Sequence, residues 1–399
     1  MAVELFTAAC MRSQNITQRN TTSSDSAVSA VQLAAAQSYC ERMLVEGGHE
    51  ALDYRRYTRE LVTYYLMGVA GVTVCCFGLV GNLLSLIVLT RKTMQTSTYC
   101  YLAALAVCDL LVDICTLVLL VKDVQAPAFL GSGWTEGNTG YYAYLFPYLH
   151  PAAFAFQVCS VWLTLAFTVD RYIMICHPFK AEPLCTVARA RRVVTGIVLA
   201  SVAFNLPKFF EYRTVTVVHP VPHPEGGEAI NVGSDLTEFG SSRLFKELYH
   251  YWLYTVFVFA IPFVSLAILN SFLVHAVRMS RRRGRELNSA EVKRMDTTVM
   301  LIGVIVIFFI CQLPAMVSRI VWALEDNPKA FVKLPLYALN EIGNFLIVLN
   351  SSINIVPYYF FGQRFRREFL RLFCSCFCRR ESGHVFSWSF SRRESQENY

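Results

Sequence analysis

Charge is scarce in this chain: Asp, Glu, Lys and Arg together make up 16% of its 399 residues, against 54% hydrophobic residues. So few charges on so apolar a chain exclude an ordinary soluble protein of this length. The first 58 residues lack an apolar stretch long enough for the core of a signal peptide, and their Ser, Thr, Gln and Asn content reads as a disordered, uncleaved tail. No cysteine lies between Cys185 and Cys311, so no disulfide can reach the long connection 211–248 from within that stretch. Catalytic signatures such as HExxH and GxSxG are missing, which leaves an intramembrane enzyme without a nucleophile or metal set. No internal repeat is visible, and that disfavours an inverted-repeat transporter.

What the chain does have is long apolar runs. A hydrocarbon layer of about 30 Å needs about 20 apolar residues per helix, and seven runs reach that length: 61–89, 99–121, 144–176, 193–210, 249–277, 297–322 and 334–359. The expected fold is an all-α membrane protein, a seven-transmembrane helix bundle (59–360) between an extracellular tail (1–58) and an interfacial helix with a cytoplasmic tail (361–399). The connection 278–294 carries seven basic residues against two acids, which marks its side as cytoplasmic. On the other side, Asn15-Ile-Thr and Asn20-Thr-Thr are glycosylation sequons. The two signals predict an extracellular N-terminus, a cytoplasmic C-terminus and a plasma-membrane location. The net charge of +7 is explained by basic residues on the inner face, with no need of nucleic acid. Cys374, Cys376 and Cys378 follow a basic amphipathic segment at the membrane edge, where palmitoylation is expected.

Ionisable residues inside the spans are costly and therefore informative. Asp109 lies mid-span, Asp113 falls one turn further on the same helix face, Asp170-Arg171 ends the third span and Glu341 opens the seventh. Ser160, Asn82, Asn350 and Asn354 are neutral and similarly placed, and ordinary interhelical hydrogen bonding is the plainer reading for each of them.

Several motifs then fall in order on these runs: Gly81-Asn82, Leu105-Ala106-Val107-Cys108-Asp109, Asp170-Arg171-Tyr172 with Cys176-His177-Pro178, Pro262, Phe308 with Cys311-Gln312-Leu313-Pro314, and Asn354 with Tyr358. Together they resemble the rhodopsin-like G-protein-coupled receptors. The segment NSSIN followed by FGQRFRREF is similar to the FMRFamide-type neuropeptide receptors. The resemblance implies a polar pocket of Asp109, Ser160, Asn350 and Asn354 able to hold an allosteric sodium ion, with no other metal or cofactor. It also implies coupling to a heterotrimeric G protein through Asp170, Arg171, Tyr172, Asn354 and Tyr358, with Asp170 restraining Arg171 at rest. Arrestin binding through the Ser-rich tail would follow, and RFRREF would open an interfacial helix with Phe361, Phe365 and Phe369 in the lipid.

The chain also departs from that pattern. Phe146 stands where these receptors carry the cysteine of a bridge to the second extracellular loop, so packing must tether that loop or leave it mobile. Gln312 replaces a tryptophan and is placed to bond the polar pocket, Arg294 stands where many relatives carry an acid that restrains Arg171, and Pro357 lies two positions past its usual place. Ala153 in place of an aspartate argues against an amine ligand. An aromatic cleft with both charges instead suits a short amidated peptide, lined by His150, Phe154, Gln157, Trp252, Met316, Arg319, Glu341 and Asn344. Glu341 is the partner for an arginine on the ligand, although Glu341, Arg319 and Asp123 also fit a solvated rim. A small non-peptide ligand is the alternative. A seven-helix transporter or channel fits less well, because Asp109 and Asp113 share one helix.

Overall fold

The computed structural model describes residues 58–124, 140–221, 227–282, 289–324 and 334–373. Among these, six helices are long and apolar enough to cross a membrane: α1 (Thr58–Leu89), α2 (Ser97–Asp123), α3 (Tyr141–Cys176), α4 (Val187–Phe210), α5 (Arg243–Ala276) and α6, whose apolar part, Ile302–Val321, lies within the helix Ser289–Leu324. The bent pair Pro335–Ser352 and Ile355–Phe361, inclined at 48°, makes the seventh span, α7. Each span covers an expected apolar run, with shifted ends. α4 starts earlier than its run because Thr186 caps it, accepting from Arg189 N, and the basic first turns wind as helix with their arginines exposed.

Large apolar side chains such as Val80, Leu83, Leu199 and Ile310 point out of the bundle, where acyl chains would meet them. Inward, Leu102, Leu105, Leu163, Phe167, Val304 and Tyr358 belong to the main core. The break in α7 falls at Ile353-Asn354, ahead of Pro357. Pro357 cannot donate to the carbonyl four residues back, and the Ser351 and Ser352 hydroxyls both bond the Val348 carbonyl, drawing that turn away from ideal helix.

The interfacial helix, α8 (Gln363–Phe373), begins after Gly362, so Phe361 belongs to the last turn of α7 and not to the lipid-facing stripe expected of it. Phe365 is fully buried against Tyr358, with ring centroids 5.6 Å apart, and so anchors α8 to the bundle. Phe369 and Phe373 continue this row and pack against the main core, opposite the exposed Arg364, Arg366, Arg367 and Arg371.

The connection after α4 contains a two-stranded antiparallel hairpin, β1 (Tyr212–Val221) on β2 (Gly227–Leu236), with Tyr212 opposite Leu236. Packing tethers it, as one of the two expected alternatives. Tyr212 meets Phe146 edge-on at 4.9 Å and His150 at 5.7 Å, and Thr214 Oγ1 donates to the Ala143 carbonyl at 2.9 Å. The ring that replaces a cysteine thus seats the hairpin on α3. Past β2 the chain crosses so close to Glu211 that a methyl on Gly240 would overlap the Glu211 carbonyl.

Candidate functional site

A cavity of about 370 Å³ opens at the hairpin end of the bundle, between α1, α2, α3, α6 and α7. Six of the residues expected to contact a ligand line it: His150, Phe154, Gln157, Arg319, Glu341 and Asn344. Two do not. Trp252 is 58% exposed on the outer face of α5, as an interfacial tryptophan would be, and Met316 packs into the aromatic cluster of Tyr254, Val258 and Phe259.

Charge in and around this cavity is sorted into pairs and two remainders. Lys122 pairs with Asp123 at 2.5 Å, and behind Phe154 the buried Lys208 reaches Glu211 at 3.5 Å, which also meets His250 Nε2 at 3.1 Å. Burial works to raise the Glu211 carboxyl, but the His250 hydrogen bond and the Lys208 charge outweigh it and hold the group down at about 2. Phe154 lies between two cations, with Lys208 Nζ 4.2 Å and the Arg319 guanidinium 4.7 Å from its ring centre. Arg319 and Glu341 remain without an ion pair among the described residues, and Glu341 accepts only from Asn340 at 3.4 Å. The Gln157 Nε2 and His150 Nδ1 atoms are buried and have no hydrogen-bond partner there. The cavity therefore offers an anion on α7, a cation on α6, aromatic walls and unspent polar groups. The cluster of Lys208, Glu211 and His250 escaped sequence reading because His250 comes from α5, far along the chain from the other two. The local signal was a lysine three residues before a glutamate at the end of an apolar run.

Deeper in the bundle, Asp109 is fully buried, with Ser160 donating to it at 2.8 Å and Asn354 at 2.6 Å. Asn350 is buried but is not among its hydrogen-bond partners, and Gln312 Nε2, expected to reach this pocket, has no partner among the described residues. Asp113 turns to another set: Ser351 at 2.8 Å, Ser352 at 3.1 Å and Asn82 at 3.0 Å. Its spacing from Asp109 was visible in the sequence, but its partners on α1 and α7 were not.

At the opposite end, Asp170 and Arg171 are both buried. A relay joins them: Ser97 and Thr98 each donate to Asp170 at 3.0 Å, and Arg171 donates to the same Thr98 hydroxyl. The Tyr172 ring meets His177 at 5.4 Å and Phe272 at 5.9 Å, and Tyr358 is wholly buried. Beside them, on a short helix Pro178–Leu184, Phe179 is 98% exposed, an aromatic that sequence reading passed over. Asn15, Asn20, Cys374, Cys376 and Cys378 lie outside the described residues, as do the tails and the side chain of Arg294.

Comparison with known proteins agrees with this architecture. The profile described as 7 transmembrane receptor (rhodopsin family) matches residues 81–358. The chain is 31% identical to the FMRFamide receptor of Drosophila melanogaster over 78% of its own length and 54% of the relative's, so it spans about half of that protein. It is 26% identical to an FMRFamide peptide receptor of Caenorhabditis elegans, over 83% of this chain and 74% of that one. The thyrotropin-releasing hormone receptor of Ovis aries is 29% identical, over 82% and 80% of the two chains. With seven apolar spans and this match across most of them, the chain belongs to the rhodopsin family of seven-transmembrane receptors.

Proposed function

We propose that the chain is a plasma-membrane receptor that binds a short amidated peptide in the cavity at the hairpin end and activates a heterotrimeric G protein from the Arg171 end. The observation that carries this reading is the cavity itself: Glu341 and Arg319 face it without an ion pair between them, among aromatic walls and unspent polar groups. A peptide with one basic side chain fits such a site, its guanidinium on Glu341 and its carbonyl oxygens on Arg319 and Gln157. Relatives named as receptors for FMRFamide and for thyrotropin-releasing hormone support the peptide class. The sequons and the basic connections support an extracellular N-terminus and a cytoplasmic Arg171 end. The arrestin contact through the Ser-rich tail and the lipid contact through α8 belong to the same reading, as does palmitoylation of Cys374, Cys376 and Cys378.

Within it, Asp109, Ser160 and Asn354, with Asn350 beside them, hold an allosteric sodium ion. The donor set is oxygen-rich and the carboxylate has no cationic partner among the described residues. Screening cells that express the chain with a library of amidated peptides, with G-protein activation as the readout, tests the proposal. Activation by one amidated peptide and not by its free-acid form is the expected result. Ligand-dependent flux of solute into vesicles, without G-protein activation, would overturn it.

A further inference from the structure

Asp113 is wholly buried, one turn from Asp109 toward the hairpin end, and takes three hydrogen bonds, all from neutral groups: Ser351, Ser352 and Asn82. A carboxylate buried within a span normally has a counter-charge. The second observation lies on Asn82. Its Nδ2 is spent on Asp113 and on the Ser351 carbonyl at 2.9 Å, while its Oδ1, also buried, has no hydrogen-bond partner. Both atoms share one amide carbon, so the unpartnered oxygen belongs to the same side chain that holds the carboxylate. An acceptor without a donor, on a side chain bonded to a carboxyl group without a counter-ion, is an arrangement that a cation can complete.

The space around them is closely defined. A methyl on Gly78 would overlap both Asp113 Oδ2 and Ser352 Oγ, so α1 closes one side of the nest. On the hairpin side lies the ligand cavity, whose lining includes Val112, next to Asp113 in the chain, and Val348, whose carbonyl shares the single proton of each serine hydroxyl with Asp113. Among the described residues the hydrogen-bond partners of Asp113 are all neutral, so an ion there would meet the Asp113 carboxyl alone within the nest. Carboxylate, amide and hydroxyl oxygens around a single charge suit a small hard monovalent cation.

We propose that Asp113, Asn82, Ser351 and Ser352 form a second cation site, between α1, α2 and α7, taking sodium independently of the Asp109 site between α2, α3 and α7. The test uses the full chain in nanodiscs, with melting temperature followed as sodium chloride replaces choline chloride at constant ionic strength. Two stabilising steps are expected. Asp113→Asn removes one, Asp109→Asn the other, and the double variant loses both. Because Asp113→Asn can disturb assembly, the paired change Ser351→Ala with Ser352→Ala serves as the second variant: it keeps the charge and should weaken one step about tenfold while leaving the other in place. A sodium response abolished by Asp109→Asn alone, or one that both Asp113→Asn and the serine pair leave unchanged, overturns the proposal. A response insensitive to Asp109→Asn but lost in Asp113→Asn upholds it and removes the Asp109 reading instead.

Discussion

Glu341 and Phe179 sit at opposite ends of the bundle, and each is a side chain whose placement the fold alone does not require. Glu341 lines the cavity without a cationic partner among the described residues, so a ligand guanidinium is its natural complement. Removing one partner of a desolvated ion pair costs about 2–5 kcal/mol. Glu341→Gln should therefore lower agonist potency at least about tenfold in a G-protein activation assay, with surface expression unchanged. Phe179 is 98% exposed on the short helix that follows α3, at the same end of the bundle as Arg171, where its ring is available to a bound partner. Phe179→Ala should reduce maximal G-protein activation and leave agonist affinity in the uncoupled state unaltered, which radioligand binding would check.

The hairpin is the element in which a substitution in the sequence has its clearest structural consequence. Phe146 packs against Tyr142, His150 and Tyr212, and aromatic pairs of this kind contribute about 0.5–1.5 kcal/mol each beyond their buried area. With no disulfide to the hairpin, Phe146→Ala should free it, seen as faster limited proteolysis between β1 and β2 at unchanged α-helical content. Glu211 gives the same region a pH dependence. Its carboxyl is held at about 2, below its ordinary value of 4.5, so its contribution is complete above about 4.5 and is lost as the pH falls toward 2. The melting temperature should fall across that window, and fall less in Glu211→Gln.

The alternation in Arg213-Thr-Val-Thr-Val-Val is a strand signal, yet whether those residues pair depends on a partner strand across a turn and on the rings of α3 beneath. Likewise the row Phe361, Phe365, Phe369 keeps helical spacing in the sequence. The break at Gly362 assigns its first member to α7 and rotates Phe365 inward onto Tyr358.

For the molecule as a whole, resting behaviour turns on how firmly Arg171 is held. The relay through Thr98 ties it to Asp170 and α2, while the sequence sets a like charge, Arg294, near the start of the sixth span. Removing about 1.4 kcal/mol of restraint multiplies a minor active population up to tenfold. Thr98→Ala should accordingly raise ligand-independent signalling at matched expression, Arg294→Glu should suppress it and Arg171→Ala should abolish it. A Thr98→Ala receptor as quiet as the native one would show that the relay does not restrain the arginine.

The sequence by itself determined the seven spans, because membrane crossing is set by the length and apolarity of a local run. It also determined which residues needed partners, because an ionisable group in a span is costly wherever the neighbouring helices lie. Helical spacing placed Asp109 and Asp113 on one face of α2. Only the tertiary structure decided that Asp109 turns to α3 and the far part of α7, while Asp113 turns to α1 and the two serines before the bend. Periodicity fixes directions around one helix axis and is silent on the rotation of the next helix, on where α7 bends and on which loop folds back. Partner choice across the bundle rests on those three quantities, and packing alone sets them.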